Sequence, residues 1–225
     1  MQSSHIEVIE HADSLYAKRI EIENVRLIVE LLEEMAAGNY EASWRLGRSF
    51  FFLGQEAKNQ AEARVHHSKG IQAADHAVKL QPDRVEGHFW LGVNLALMAQ
   101  LKNKMSALFF VWRAKRSLRR ALRLDPSYHA AGSLRLLGRI QHRLPRIFGG
   151  GRKRARANYE RALELAPDNT VTRFYFAELL IEIGEMTAAR EQLETILQMA
   201  TDPPWEFESK RDRKLAKETL ALMGK

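Results

Sequence analysis

Residues 149–156, Gly-Gly-Gly-Arg-Lys-Arg-Ala-Arg, set three glycines directly before a basic run, the residue types of a phosphate-cradling loop at the start of a helix. A Walker-type loop also needs a strand before it, a longer spacing from the first glycine to the lysine, and a Ser or Thr after that lysine for magnesium. None of these is written here: Leu144-Pro145 precedes the glycines, and Arg152, Lys153, Arg154 and Arg156 lead into a helical pattern. The segment reads as a turn between packed helices, with backbone amides at the helix start still able to attract an anion.

His66-His67, with Asp75 and His76 downstream, have the donor types of a metal site. Adjacent helical residues point about 100° apart, so one ion does not easily take both. The pair reads instead as part of an exposed insertion helix. General acid-base catalysis needs titratable groups that converge in a pocket. The carboxylates of "VELLEE" and "LIEIGE" fit a helix surface and its ion pairs instead. No catalytic residue, metal or cofactor is expected, and the chain reads as a binding protein rather than an enzyme.

Composition narrows the class further. At 225 residues and 45% hydrophobic, the chain is long enough to bury a core. Its longest wholly apolar stretch, Ala107 to Trp112, is far short of the roughly 20 residues that cross a bilayer. The start carries Glu7, Glu10 and Asp13 where a secretory signal needs a basic tip and an apolar run, so the sequence as written implies the cytoplasm, or the periplasm if an export signal has been removed. The absence of cysteine excludes disulfides, thiolate chemistry and a lipid-modified cysteine. The net charge of +7 is uneven: residues 102–161 hold 17 Lys or Arg against Asp125 and Glu160, a local balance of +15, which leaves −8 for the rest.

These residues must be positioned by helices, and the helices repeat. "AVKLQP", "ALRLDP" and "ALELAP" end at Pro82, Pro126 and Pro167, each with a small residue (Ala77, Ala121, Ala162) and then a leucine (Leu80, Leu124, Leu165) before the helix-stopping proline. Ten residues after Pro82 and Pro167 stand Gly92 and Ala177, small residues flanked by large apolar ones at helical spacing. Small residues let two antiparallel backbones approach, while neighbouring aromatics fill the groove between successive hairpins. The pattern resembles the tetratricopeptide repeat. It implies an all-α solenoid of about five hairpins, over residues 6–38, 40–82, 85–126, 127–167 and 171–201, with residues 204–225 as a capping helix. The proline spacings of 44 and 41 residues exceed the usual period of about 34, so the middle units should have longer helices. Leu136 occupies the small-residue position of the fourth unit, between Gly132 and Gly138, so that unit should pack irregularly.

A closer resemblance runs through residues 88–167. Phe89-Trp90 with Gly92, the elongated helices up to "LRLDPSYHAAG", and "LGRIQHRLPRIFGG" resemble the T-component family of tripartite ATP-independent periplasmic transporters, and "ADSLYAKR" and "NYEASWRLGRSFFFLG" fit as well. The resemblance implies a non-catalytic repeat protein that associates with an extracytoplasmic solute-binding protein and oligomerises around an apolar channel. Related repeat domains occur in eukaryotic regulators of microtubule dynamics.

In repeats of this kind the first helices line a concave groove, which would bind a protein partner or shelter an apolar or amphipathic small ligand. By phase its candidates are Trp44, Arg48, Phe51, Phe89, Asn94 and Phe174, with Arg135 and Arg139, four apart, as an anion clamp. Arg113, Arg116, Arg120 and Arg123 form a stripe on a helix preceded by Phe109, Phe110 and Trp112, opposite Leu118, Ala121 and Leu122. With Arg152, Lys153 and Arg154 this basic surface suits an acidic partner or an anionic membrane. Nucleic acid is a poorer fit, because no base-reading module accompanies the charge.

Overall fold

The structure, a computed structural model, describes residues 2–200 and 203–224. The limit drawn for the fifth repeat, Thr201, lies outside these residues. Every regular element among them is helical: α1 (Gln2–Ala17), α2 (Ile22–Glu33), α3 (Tyr40–Gln55), α4 (Gln60–Leu80), α5 (Val85–Gln100), α6 (Lys104–Leu124), α7 (Tyr128–Arg143), α8 (Arg152–Leu165), α9 (Thr170–Glu182), α10 (Met186–Gln198) and α11 (Glu206–Met223). Single 3-10 turns lie at Arg146–Phe148 and Pro203–Trp205. No helix among the described residues is long and apolar enough to cross a membrane.

The helix ends follow local chemistry. Asn39, Asn59, Asn103 and Asn169 each cap a helix by accepting a hydrogen bond from a first-turn N–H. At the other end, α4, α6 and α8 all stop two residues before Pro82, Pro126 and Pro167. The proline ring disfavours helical geometry in the residue before it, so the three repeat tails break alike.

The chain divides into two compact units, residues 1–125 and 126–225. In the first, three antiparallel hairpins (α1/α2, α3/α4, α5/α6) stack around Ile28, Leu32, Phe50, Trp90, Leu95 and Leu118. Small residues set the approach. A Cβ added to Gly47 would meet the Ala74 Cβ at 3.0 Å, and one added to Gly92 would meet the Leu118 Cγ at 2.7 Å. The extra length of the second and third repeats lies in their second helices, since α4 and α6 each have 21 residues.

The second unit contains hairpins α7/α8 and α9/α10, with α11 packed on the last through Ala216 against Ala177, Leu193 and Ile196. Irregular packing of the fourth repeat has a definite form: the small residue shifts to Gly138, whose added Cβ would lie 2.8 Å from the Tyr159 ring. Residues His129, Ala130 and Ala131 at the start of α7 are left-handed, with φ of 54°, 52° and 53°. That conformation costs non-glycine residues roughly 1–2 kcal/mol each.

Candidate interaction sites

Of the groove candidates, Trp44 and Arg48 belong to a network that ties α1 to α3. The Arg45 guanidinium donates to both Asp13 carboxylate oxygens, at 3.0 and 2.6 Å, and to Glu41 at 2.6 Å. Arg48 donates to Asp13 at 2.7 Å and lies 3.8 Å from the centre of the Tyr16 ring. Trp44 donates its indole N–H to Glu41 at 2.8 Å, and Arg45 covers its ring. Burial alone would raise the Asp13 pKa, but the two guanidiniums hold it below the ordinary value. With both Asp13 oxygens engaged, the cluster holds α1 of the first hairpin to α3 of the second.

Phe89 and Asn94 correct the groove assignment, because both are fully buried. Phe89 packs edge-on against Trp90, and half-buried Phe51 leans on the same indole at 5.4 Å. Asn94 is a hydrogen-bond hub joining three helices. Its amide N–H groups donate to the Gly47 and Trp90 carbonyls, both at 2.9 Å, and its carbonyl oxygen lies 3.1 Å from His67 Nδ1. His67 is therefore buried rather than exposed as the sequence suggested, and burial lowers its pKa despite the Asn94 contact. The 100° separation sends His67 inward onto α5, while His66 stacks against Phe50. An aromatic-flanked polar residue on a first helix looks the same in sequence whether it faces a groove or the next hairpin.

The expected Arg135–Arg139 anion clamp is also corrected, because the two guanidiniums have separate partners. Arg139 pairs with Glu178 of α9 at 2.6 Å and stacks on Tyr175. Arg135 is buried, donating to the Ala130 carbonyl at 3.0 Å and the Asn169 side-chain oxygen at 3.2 Å, with Trp205 beside it. It thereby braces the left-handed start of α7. Phe174 packs against the core shared by α9, α10 and α11.

The basic stripe on α6 is only partly committed. Arg120 pairs with Asp83, and Arg113 lies 3.8 Å from Asp75, whereas Arg116, Arg119 and Arg123 are exposed. The helix holds Leu118 and Ala121 in the core, but Met105, Phe109 and Trp112 stay uncovered, at 80%, 56% and 59% exposure. Positions 105, 109, 112, 116, 119 and 123 share one helical face. Its first half is apolar and its second half basic.

The glycine-rich segment forms the other open feature. Pro145 ends α7, Arg146–Phe148 make a 3-10 turn, and Gly149 and Gly151 take φ of 79° and 146°. Gly150 is required outright, since a Cβ there would overlap the Leu144 carbonyl. Together with the end of α7 and the start of α8, the segment encloses a cleft of about 670 Å³. Arg152, Lys153 and Arg154, expected from the sequence to belong to a basic surface, line it; sequence reading gave no role to Ile147 and Phe148, which are uncovered in the adjoining turn.

Stacked antiparallel hairpins closed by prolines define the chain as a tetratricopeptide-type repeat protein, and a tetratricopeptide repeat model matches residues 152–206. A second model, "Regulator of microtubule dynamics protein 1-3", matches residues 8–142, more than half of the chain, so the chain belongs to that family. No curated protein matches significantly. Among solved structures, the chain is similar to a thermophilic TPR protein of Thermus thermophilus, at 20% identity and a TM-score of 0.70 over 93% of this chain and 97% of that one. It is also similar to MamA protein, at 17% identity and a TM-score of 0.50 over 93% and 96%. At these identities the likeness concerns the fold.

Proposed function

We propose that the chain is a non-enzymatic repeat scaffold whose protein partner docks on the uncovered face of α6. The observation that carries this reading is the run of Met105, Phe109 and Trp112 into Arg116, Arg119 and Arg123. Packing consumes most of the aromatics that would line a groove, whereas these three apolar side chains stay in water at a cost that a partner would remove. The basic half selects an acidic partner that also presents an apolar element. Sheltering of a small apolar ligand by Trp44, Phe89 and Phe174 is less favoured, because all three pack against their own chain.

The family's description makes the microtubule the first partner to test. Wild-type protein should co-sediment with polymerised tubulin, and the double variant Phe109→Ala/Trp112→Ala should lose about tenfold or more in affinity while keeping its helicity. Equal co-sedimentation of the two proteins would remove α6 from the reading. The transporter-like alternative, with a solute-binding protein as partner, rests on the sequence resemblance alone; pull-down with such a protein tests it. Self-association is read by light scattering.

A further inference from the structure

The turn between α7 and α8 combines two properties that packing within the fourth repeat does not require. One is a cleft with five Arg or Lys side chains against a single carboxylate, Glu182. Arg146, Arg152, Lys153 and Arg154 line it, and no ion pair is formed by any of the four among the described residues. Arg143, also in the wall, pairs with Glu178 and Glu182. No side chain caps α8, and its first residues, from Gly151 to Arg154, line the same cleft as these cations. His142 completes the wall: it is 8% exposed, its Nε2 lies 2.9 Å from Glu182, and its Nδ1 has no hydrogen-bond partner.

The other property is an apolar tip. Ile147 and Phe148, at the crest of the 3-10 turn, are 84% and 46% exposed. Gly149 and Gly151 use backbone conformations that side chains rarely adopt, and Gly150 has no room for a Cβ, so the turn is held in the shape that displays the tip. A soluble phosphate compound would use the cations and amides but would leave the tip uncovered. An anionic bilayer surface engages both, with headgroup phosphates in the cleft and the two apolar side chains among the upper acyl chains.

We propose that residues 144–154 form a docking site for an anionic membrane surface, acting independently of the α6 face. The test is co-sedimentation of the full chain with vesicles of phosphatidylcholine alone and of phosphatidylcholine mixed with phosphatidylserine. Wild-type protein should bind only the mixed vesicles and should be released as salt is raised. Ile147→Ser/Phe148→Ser should weaken binding by about tenfold, and Arg152→Glu/Lys153→Glu/Arg154→Glu by about a hundredfold or more. These side chains are exposed, and circular dichroism checks that each variant keeps its fold. Phe109→Ala/Trp112→Ala should bind vesicles as wild type does. The proposal is overturned if wild type ignores the mixed vesicles, which would mark a site for soluble phosphate compounds, or if the Ile147/Phe148 variant binds them undiminished, which would mean that charge alone and not this displayed tip holds the surface. Loss of vesicle binding in the α6 variant would also overturn it, by moving the membrane contact to α6.

Discussion

The third and fourth hairpins both exceed the usual repeat length, but they place their extra residues differently. In the α5/α6 hairpin the surplus extends a helix, and its added turns present Phe109 and Trp112 to water. In the α7/α8 hairpin it forms a glycine turn that presents Ile147, Phe148 and unpaired cations. A helical extension satisfies its own backbone and leaves side chains to interact, whereas a turn leaves amides as well as side chains. Repeat-length surplus therefore yields an uncovered apolar and basic helix face in one case and a cleft lined by basic side chains in the other.

The largest effect that tests this contrast should come from Gly150→Ala. The added methyl group meets backbone, which cannot rotate away, so a loss of roughly 3 kcal/mol or more is expected by chemical denaturation. Gly92→Ala meets the movable Leu118 side chain and should cost less, about 1–2 kcal/mol. Equal losses would mean that the turn is not held rigidly by its backbone.

Asn94→Ala should follow, at about 2 kcal/mol, because it leaves the buried Gly47 carbonyl without its side-chain donor and His67 without its partner. A loss under about 0.5 kcal/mol would show that the hub is not what joins α3, α4 and α5. In the second unit, Ala130→Gly should stabilise by about 1 kcal/mol, since glycine adopts the left-handed geometry without penalty. Destabilisation of similar size would mean that α7 starts in ordinary helical geometry.

Acid should separate the regions with the smallest effect. Burial lowers the pKa of both His67 and His142, so the unfolded chain takes up protons first. Each contribution is present above the unfolded value of about 6.5 and is lost as pH falls toward the folded one. His67 faces a neutral amide, while His142 faces Glu182, which offsets its protonation. Denaturation measured from neutral pH down to about 5 should therefore be flattened more by His67→Gln than by His142→Gln. The reverse order would contradict the partner assignment.

Repeat proline positions and small-residue spacing made the all-helical hairpin architecture and its capping helix legible in the sequence, because each acts within a few residues of chain. The basic runs and the aromatic stretch before Arg113 were legible too. What the sequence left open was direction. Phe89 and Asn94 carry the same local signal as a groove-lining pair, yet the neighbouring hairpin buries them. Arg135 and Arg139 share a helical face but take their partners from different places. Gly138 replaces position 136 only because Tyr159 approaches there. Helical periodicity fixes which residues lie on one side of a helix, and that much is local. Which sides meet another helix and which stay in water depends on the packing of hairpins distant in sequence, and tertiary structure alone left Phe109, Trp112, Ile147 and Phe148 uncovered.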